Sequence, residues 1–215
     1  MTLGAPMTPA ELIEGRPLVV LAPHPDDETL GCGALLFDAA AAGIETRVIC
    51  VTDGSRSHPN STTWPPARLA AQRRRELEAA TAQLGAEMHW LGHPDCGVPE
   101  DVPLDHLIPA DALVLASWGG DPHCDHESVA RLAQKAQRQD TRLAFYPVWG
   151  RFTGSRIVAR PLVATAMALA AKRRALACHR SQMTPMITDD PEGFVMEDWR
   201  QAHFLEHPEV VIASS

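Results

Sequence analysis

The chain has 215 residues and a formal net charge of −8, with 45% hydrophobic and 21% charged residues. This composition is typical of a globular protein, and the length allows one domain with a substantial hydrophobic core. The net negative charge disfavours nucleic acid as a partner, because a phosphate backbone would be repelled on average. We therefore expect a single domain over residues 1–215 and no nucleic-acid partner.

The cysteines and the apolar stretches indicate the cellular location of the protein. The chain has an odd number of cysteines and no C-x-x-C pair; the five are Cys32, Cys50, Cys96, Cys124 and Cys178. This pattern indicates no disulfide framework and favours a reducing compartment. The first residues lack the basic and apolar regions of a signal peptide. The longest apolar stretch, residues 161–171, is shorter than the roughly 20 residues of a membrane-spanning helix. We expect a cytoplasmic protein without a membrane span.

From the N-terminus onward, short apolar runs alternate with helical patterns. Runs that are apolar throughout are typical of strands covered on both faces, as in a parallel sheet. The predicted strands are residues 16–22, 46–52, 87–91, 112–117, 142–146 and 209–213. The predicted helices are residues 33–42, 66–84, a stretch that begins near Asp125, and 161–179. This order predicts a doubly wound α/β sheet.

The first predicted strand is followed by the sequence P-H-P-D-D-E at residues 23–28. Burial of one imidazole and three carboxylates so close together is unfavourable unless a cation, a proton or solvent compensates the charge. Gly31 and Gly33 then open the first helix. They do not fit a dinucleotide-binding loop, because a third glycine is missing and the acidic residues would repel a pyrophosphate. We expect them to allow tight helix packing instead.

Two long polar connections, residues 53–65 and 92–103, follow the second and third strands. Long connections in an α/β domain usually form the rim or lid of a site, and plain surface decoration is the alternative. His58 and His93 lie in these connections, and we expect both to be solvated.

A second polar cluster, D-P-H-C-D-H-E at residues 121–127, follows the fourth predicted strand. In the strand order 3-2-1-4-5, the first and fourth strands are neighbours, and ligands bind at their carboxyl ends where the order reverses. The two clusters are therefore expected to meet in space.

The spacing within the clusters favours a metal site. His24 and Asp27 are three residues apart, as are His123 and His126, and residues at this spacing share one face of a turn or helix. His24, Asp27 and His126 would make a two-histidine, one-carboxylate site with an open fourth position. Catalytic zinc sites have this pattern, and the pKa of their bound water is about 7.

The remaining side chains of the clusters suggest catalytic roles. Asp26 can act as general base on the water, and His123 can stabilise an oxyanion or protonate a leaving amine. Asp125 can orient His123, and it is also a candidate N-cap of the following helix. Glu28 is predicted to be structural. Cys124 is expected to fill space rather than bind metal, because a thiolate would complete a closed structural site.

Together these residues resemble the two signature motifs of the PIG-L/LmbE-like deacetylases. The family's H-P-D-D-E motif matches residues 24–28, and its H-x-D-H motif matches residues 123–126. Weaker similarities extend over most of residues 17–182, and residues beyond 182 match nothing in the family. The resemblance implies that His24, Asp27 and His126 are the metal ligands, that Asp26 is the base and that His123 stabilises the transition state. These are the roles that the spacing also suggests. The resemblance also implies a Rossmann-like, LmbE-like fold, with a mostly parallel sheet and helices on both faces.

The resemblance further implies zinc-dependent removal of the N-acetyl group from an N-acetylglucosamine-type substrate, with zinc-bound water as nucleophile. Other divalent transition metals also suit mixed His/Asp ligands. Candidate contacts to this amino-sugar substrate are Asp53, Asp95 and one arginine of the 66–84 helix, Arg74, although a solvated arginine face is the alternative there. Related enzymes often form symmetric oligomers, so a homo-oligomer is possible.

The residues before H-x-D-H bear on which substrate the resemblance implies. Family members that act on thiol-precursor glycosides often carry a tyrosine shortly before H-x-D-H, where this chain has Asp121 and Pro122. Those substrates are therefore not implied. The alternatives are an amidase acting on another acylated amine or a thiol conjugate, and a non-catalytic sugar-binding module. A serine hydrolase is disfavoured because the chain contains no G-x-S-x-G sequence.

Overall fold

The computed structural model describes residues 1–154 and 157–214, and within them eight strands form one sheet. In chain order the strands are β1 (Thr2–Leu3), β2 (Leu18–Ala22), β3 (Thr46–Thr52), β4 (Glu87–His93), β5 (Leu113–Ser117), β6 (Arg142–Tyr146), β7 (Val158–Pro161) and β8 (Val210–Ala213). Their order across the sheet is β1-β7-β8-β6-β5-β2-β3-β4.

Helices connect most of these strands. In chain order they are α1 (Pro9–Ile13), α2 (Asp27–Ala41), α3 (Pro66–Leu84), α4 (Cys124–Lys135), α5 (Ala166–Leu176), α6 (Arg180–Met183) and α7 (Asp198–Glu206), with a short 3-10 turn at Trp149–Arg151. Among the described residues, no helix combines the length and apolarity that a membrane crossing requires.

The central strands have the predicted order. β4, β3, β2, β5 and β6 are parallel neighbours, which corresponds to the order 3-2-1-4-5. β8 runs antiparallel to both β6 and β7, so the complete sheet is mixed. The predicted α/β class with a mostly parallel sheet is confirmed.

The two faces of the sheet carry separate helical layers. Leu18 and Val20 of β2 contact one layer, Val19 and Leu21 contact the other, and all four are fully buried. Helices α2, α3 and α5 cover the first face, and α4 together with residues 104–112 covers the second. Burial on both faces explains why the strand sequences are apolar throughout.

Helix α2 packs closely against the sheet at its glycines. A Cβ on Gly31 would lie 2.2 Å from a ring carbon of Tyr146, and one on Gly33 would lie 3.1 Å from Cγ of Lys172. The expected tight packing is confirmed, since a larger residue at Gly31 would collide with the buried ring.

The late helix begins later than the sequence pattern predicts. Pro161 belongs to β7, where it pairs with Val210, so the prediction of a helix over residues 161–179 is wrong at its start. α5 begins only at Ala166, after Thr165, whose hydroxyl accepts a hydrogen bond from the N–H of Ala168. The helix cap, rather than the apolar pattern, fixes this boundary.

The C-terminal residues, which match no family motif, are part of the sheet and its packing. β8 lies between β6 and β7. The Glu209 carboxylate, just before β8, is 2.8 Å from Nζ of Lys172 in α5 and accepts hydrogen bonds from the N–H groups of Ala34 and Leu35 in α2. These contacts are buried, so one carboxylate joins the C-terminal strand to two helices.

Candidate metal centre

The two polar clusters lie side by side at the carboxyl ends of β2 and β5, which are parallel neighbours. The ring centroids of His24, His123 and His126 are 4.6 to 5.5 Å apart. Each of these rings offers a nitrogen within 4.8 Å of the other two, so the three imidazoles could hold a metal ion. The predicted meeting of the clusters is confirmed.

Asp27, in the first turn of α2, lies between two of these histidines. Its Oδ2 atom is 3.1 Å from Nδ1 of His24 and 3.3 Å from Nε2 of His126. Burial alone would raise the pKa of the Asp27 carboxyl, but the neighbouring His126 and His24 hold it well below its usual range. The predicted trio of His24, Asp27 and His126 is thus brought into mutual contact.

Carboxylates surround the two imidazoles and favour positive charge there. Burial opposes a charged His24, yet the hydrogen bonds that its ring donates to Asp125 and Asp27 outweigh this effect and raise the pKa of His24 to about 10. Burial likewise opposes a charged His126, but Asp27 and Asp121 raise its pKa to about 9. The centre is therefore electrostatically suited to a cation.

His126 is oriented as a metal ligand would be. Its ring is fully buried, and Nδ1 lies 2.9 Å from Oδ2 of Asp121. When a metal replaces the second proton of the ring, that contact keeps the remaining proton on Nδ1 and leaves the Nε2 lone pair to the ion. Among the described residues Nε2 makes no well-aligned hydrogen bond, and its nearest acceptor is Oδ2 of Asp27 at 3.3 Å. Such a buried nitrogen is costly unless a ligand satisfies it. The residues present therefore fit a bound metal.

Asp121 was not singled out from the sequence, although it opens the second cluster. Besides His126, it accepts hydrogen bonds from the N–H groups of Val148 and Gly150, 2.8 and 2.7 Å away. Its carboxylate is fully buried. A carboxylate that fixes the far nitrogen of a histidine is a common companion of metal ligands.

His123, rather than Asp125, caps α4. The Nδ1 atom of His123 accepts a hydrogen bond from the N–H of Asp125, 3.2 Å away. The alternative role of Asp125 as the N-cap is therefore wrong, because the helix begins at Cys124, two residues before the start that a cap at Asp125 would give. Burial and the positive charges of His24 and His126 lower the pKa of His123. A neutral ring that accepts at Nδ1 carries its proton on Nε2.

The Asp125 carboxylate contacts His24 more closely than it contacts His123. Its Oδ2 atom is 3.1 Å from Nε2 of His24 and 3.9 Å from Nδ1 of His123, and it accepts a hydrogen bond from the N–H of Cys96. Asp125 thus holds His123 through its backbone and His24 through its side chain.

Asp26 is buried beside the trio and pairs with an arginine. Burial raises the pKa of Asp26 to about 7, against the opposing charge of Arg73, whose Nη2 is 3.2 Å from its Oδ2. A carboxyl with a pKa near neutrality suits a general base. The backbone of Asp26 is strained, with φ at 146°, which costs on the order of 1–3 kcal/mol.

Glu28 supports the strained backbone of Asp26, which agrees with the structural role predicted for it. Its Oε2 atom accepts a hydrogen bond from the N–H of Asp26 at 3.0 Å, and its Oε1 atom lies 3.1 Å from Nε2 of His179. The side chains of Glu28 and His179 are both fully buried. The late His179 therefore reaches the base through Glu28, a link that the sequence did not reveal.

A cavity of about 640 Å³ opens onto this centre. Its lining includes His24, Asp26, Asp27, Asp95 and His123 of the polar clusters and their surroundings, together with Trp149, Phe194, Met196 and Arg200. The long connection after β3 contributes Arg56, Ser57 and Pro59. Both long connections therefore contribute to the cavity, as expected, and residues beyond 182 supply a substantial part of its lining.

The predicted substrate contacts are distributed unevenly around this cavity. Asp95 lines it, and its two oxygens also accept hydrogen bonds from the N–H groups of Gly54 and Arg56. Asp53 is not among the lining residues. Arg74 points to solvent and pairs with Glu78 on the same helix.

Two predictions about this rim are wrong. Arg73, not Arg74, reaches the cavity, because successive residues of α3 differ by about 100° around the helix axis and only Arg73 faces the end of β2. His58 is buried, at 2% exposed, rather than solvated. It packs so closely against Gly193 that a Cβ there would lie 2.1 Å from the ring.

Comparison with known proteins identifies the family and agrees with the fold. A family model described as PIG-L: GlcNAc-PI de-N-acetylase matches residues 19–137. The chain is 35% identical over 118 residues to the 1D-myo-inositol 2-acetamido-2-deoxy-alpha-D-glucopyranoside deacetylase of Nocardioides sp., covering 48% of this chain and 38% of that protein. It is 30% identical over 95 residues to the mycothiol S-conjugate amidase of Streptomyces coelicolor, covering 42% and 32% respectively.

These curated relatives are longer proteins, and the chain spans only about a third of their length. Among solved structures, the chain resembles the N,N'-diacetylchitobiose deacetylase from Pyrococcus horikoshii, with a TM-score of 0.71 and 20% identity. That match covers 96% of this chain and 85% of the other. It confirms the LmbE-like fold over nearly the whole chain.

Proposed function

Because the chain belongs to the PIG-L family, described as GlcNAc-PI de-N-acetylases, we propose that it is a metal-dependent deacetylase. It would hydrolyse the N-acetyl group of an amino-sugar substrate of the N-acetylglucosamine type. The observation that carries this proposal is the buried Asp26, with a pKa raised to about 7, directly beside a cluster of histidines that could hold a metal ion.

We propose His24, Asp27 and His126 as the metal ligands and Zn²⁺ as the metal, with other divalent transition metals as alternatives. A bound metal would supply Lewis acidity at the scissile amide. Asp121 orients His126, and Asp125 orients His24 through contacts of 2.9 and 3.1 Å. These carboxylates fix which ring nitrogens remain available to the ion.

Asp26 acts as the general base in this proposal. It takes a proton from the attacking water and can return it to the amine that leaves. Arg73 opposes the effect of burial on Asp26 and keeps part of the population ionised near neutral pH. Glu28 holds the backbone of Asp26 in its strained conformation through the 3.0 Å hydrogen bond, so the base points into the cavity.

His123 stabilises the tetrahedral oxyanion as the carbonyl is attacked. It is neutral and carries its proton on Nε2, because Nδ1 already accepts from the N–H of Asp125. A neutral donor fixed by a helix terminus loses little energy to reorganisation when negative charge develops on the substrate oxygen.

The substrate proposal rests on the cavity and on the relatives. A volume of about 640 Å³ lies within the usual range of small-molecule sites, about 300–1,000 Å³. Asp95, which lines the cavity, and Asp53, which lies outside the lining, remain the proposed contacts to sugar hydroxyls. The cytoplasmic location and a homo-oligomeric state also stay proposals, the former resting on the cysteine pattern.

A second candidate is an amidase that cleaves another acyl group. The similarity to a protein named mycothiol S-conjugate amidase favours it. The same base, oxyanion donor and ligands would serve both reactions, because each hydrolyses an amide. The walls of the cavity would then decide between the two.

Free-amine release from a panel of N-acetylglucosamine glycosides tests the proposal. We expect zinc-loaded protein to release amine, and Asp26→Ala to lower kcat about 100-fold or more while retaining its metal. The exposed Asp101→Ala is the matched control and should keep full activity. Equal turnover by Asp26→Ala would refute the assignment of the base. No release by any metal-loaded form would instead favour the amidase or a sugar-binding module.

A further inference from the structure

Two cysteines that are distant in the sequence meet at the rim of the metal centre. Cys96 lies in the turn after β4, and Cys124 is the first residue of α4. Their Sγ atoms are 3.0 Å apart, and both residues are exposed. The contact joins two separate connections of the sheet and depends on the tertiary fold.

The backbone around Cys96 is held in a shape that presents its thiol to Cys124. Cys96 has φ at +55°, a conformation that is uncommon for residues other than glycine. Its N–H donates to Oδ2 of Asp125 at 2.9 Å, and the N–H of Gly97 donates to the carbonyl of Pro94. A tight turn, fastened to the start of α4, thus fixes the relative positions of the two sulfurs.

We propose that Cys96 and Cys124 form a reversible intramolecular disulfide, a redox modification site beside the metal centre. The oxidant is a small-molecule disulfide of the glutathione class. One cysteine attacks it as a thiolate and releases one small thiol, and the second cysteine displaces the other. The protein is oxidised by two electrons, the small disulfide is reduced to two thiols, and these thiols carry the two protons.

The cross-link would act on residues that surround His24. Asp95 and Asp125 are the sequence neighbours of the two cysteines, and their carboxylates lie 3.9 and 3.1 Å from Nε2 of His24. A disulfide would hold these carboxylates in place and close a loop across the rim. We expect the oxidised protein to have a higher thermal midpoint, because the bond restricts the unfolded chain.

Metal binding is the competing use of the same thiols, since Cys96, Cys124 and Asp125 could also hold an ion. The Asp125 carboxylate, however, is already engaged, because it accepts a hydrogen bond from the N–H of Cys96 and contacts the His24 ring. The geometry therefore favours the disulfide.

The other cysteines provide internal controls. Cys32 and Cys50 are buried in the core, and burial raises the pKa of each thiol well above its usual range. Cys178 is partly exposed, and its thiol donates to the carbonyl of Arg174. The Sγ contact given above is specific to the Cys96–Cys124 pair among the described residues.

The test treats the full chain with oxidised glutathione, alkylates the free thiols, and measures intact mass, non-reduced peptides and thermal midpoint. We expect a linked peptide pair containing Cys96 and Cys124, a midpoint higher by several degrees, and reversal by dithiothreitol. Cys96→Ser and Cys124→Ser should each lose the link and retain one glutathione on the remaining cysteine. Cys178→Ser should behave like the parent protein.

Two results would overturn the proposal. The first is five alkylated thiols, or glutathione on both cysteines without a link, after oxidation of the parent protein. The second is zinc held by the reduced protein in one equivalent more than by Cys96→Ser, with the zinc preventing oxidation. That outcome would make the pair a metal site. Neither result depends on catalysis, so the inference is tested separately from the proposed function.

Discussion

Asp121 shows how single side chains prepare the centre for a cation. It lies in the turn before α4, where backbone N–H groups and the ring of His126 converge on its carboxylate. This arrangement fixes the tautomer of a buried imidazole and exposes one lone pair to the site. His24 is held in the same way by Asp125. The metal affinity of the centre should therefore depend on residues that do not contact the ion.

Replacing Asp121 tests this dependence. We expect Asp121→Asn to weaken zinc binding about 10–100-fold, because the carboxamide no longer fixes the proton on Nδ1 of His126. Competition with a chromophoric chelator measures the affinity, and the thermal midpoint of the metal-free variant reports any loss of fold. The exposed Asp111→Asn is the control. Unchanged affinity at an unchanged midpoint would remove Asp121 from this role.

At the level of elements, the sequence predicted the parts whose signals are local. The bounds of α3 follow from Pro66 at its start and Gly85 just after its end. The order of β2 to β6 follows from apolar runs that indicate a parallel sheet buried on both faces. The missed elements, β1 and β7 among them, are short and partly exposed, so they carry no such signal. The roles of Arg73 and Asp121 depend on side-chain direction and tertiary contacts, which spacing does not encode.

The C-terminal segment is joined to the long connection after β3 by Asp189. Its carboxylate accepts hydrogen bonds from the hydroxyl of Ser61 and from the N–H groups of Thr62 and Thr63, at 2.7 to 2.9 Å. The hydroxyl of Ser61 and these N–H groups hold the pKa of the Asp189 carboxyl well below its usual range. An ionised carboxylate thus joins the C-terminal segment, which contributes to the cavity lining, to the connection after β3.

This contact predicts a pH dependence of stability. A carboxyl whose pKa is lower in the folded state stabilises the protein above its unfolded pKa, near 3.8, and loses that effect as the pH falls further. Asp189→Asn should therefore lower the thermal midpoint at pH 6 and change it less at pH 3. The exposed Asp198→Asn serves as the control. A difference that stays constant across this range would contradict the assignment.

At the scale of the whole molecule, the sheet and the helical layer that contains α2 and α5 depend on residues outside the family motifs. Lys172 of α5 and Glu209 before β8 form an ion pair that is almost completely buried. Lys172 also donates to the carbonyl of Leu30 in α2. This pair joins the motif-bearing residues to the C-terminal strand, in keeping with a single domain, which stays a prediction.

Breaking this pair should destabilise the entire fold. We expect Glu209→Ala to lower the free energy of unfolding by about 3–5 kcal/mol, because it leaves the Lys172 ammonium buried without a partner. Urea denaturation measures the change, and the exposed Glu206→Ala is the control. The double variant Lys172→Met, Glu209→Leu should lie closer to the parent protein. A loss below about 1 kcal/mol in Glu209→Ala would show that Lys172 reaches solvent.

The proposed ligand set is tested most directly by the position of zinc in a crystal of the loaded protein, found by anomalous scattering at the zinc edge. We predict one peak within about 2.0–2.2 Å of a nitrogen of His24, an oxygen of Asp27 and Nε2 of His126. A peak coordinated instead by His24, Asp95 and Asp125, which could also hold an ion, would contradict it.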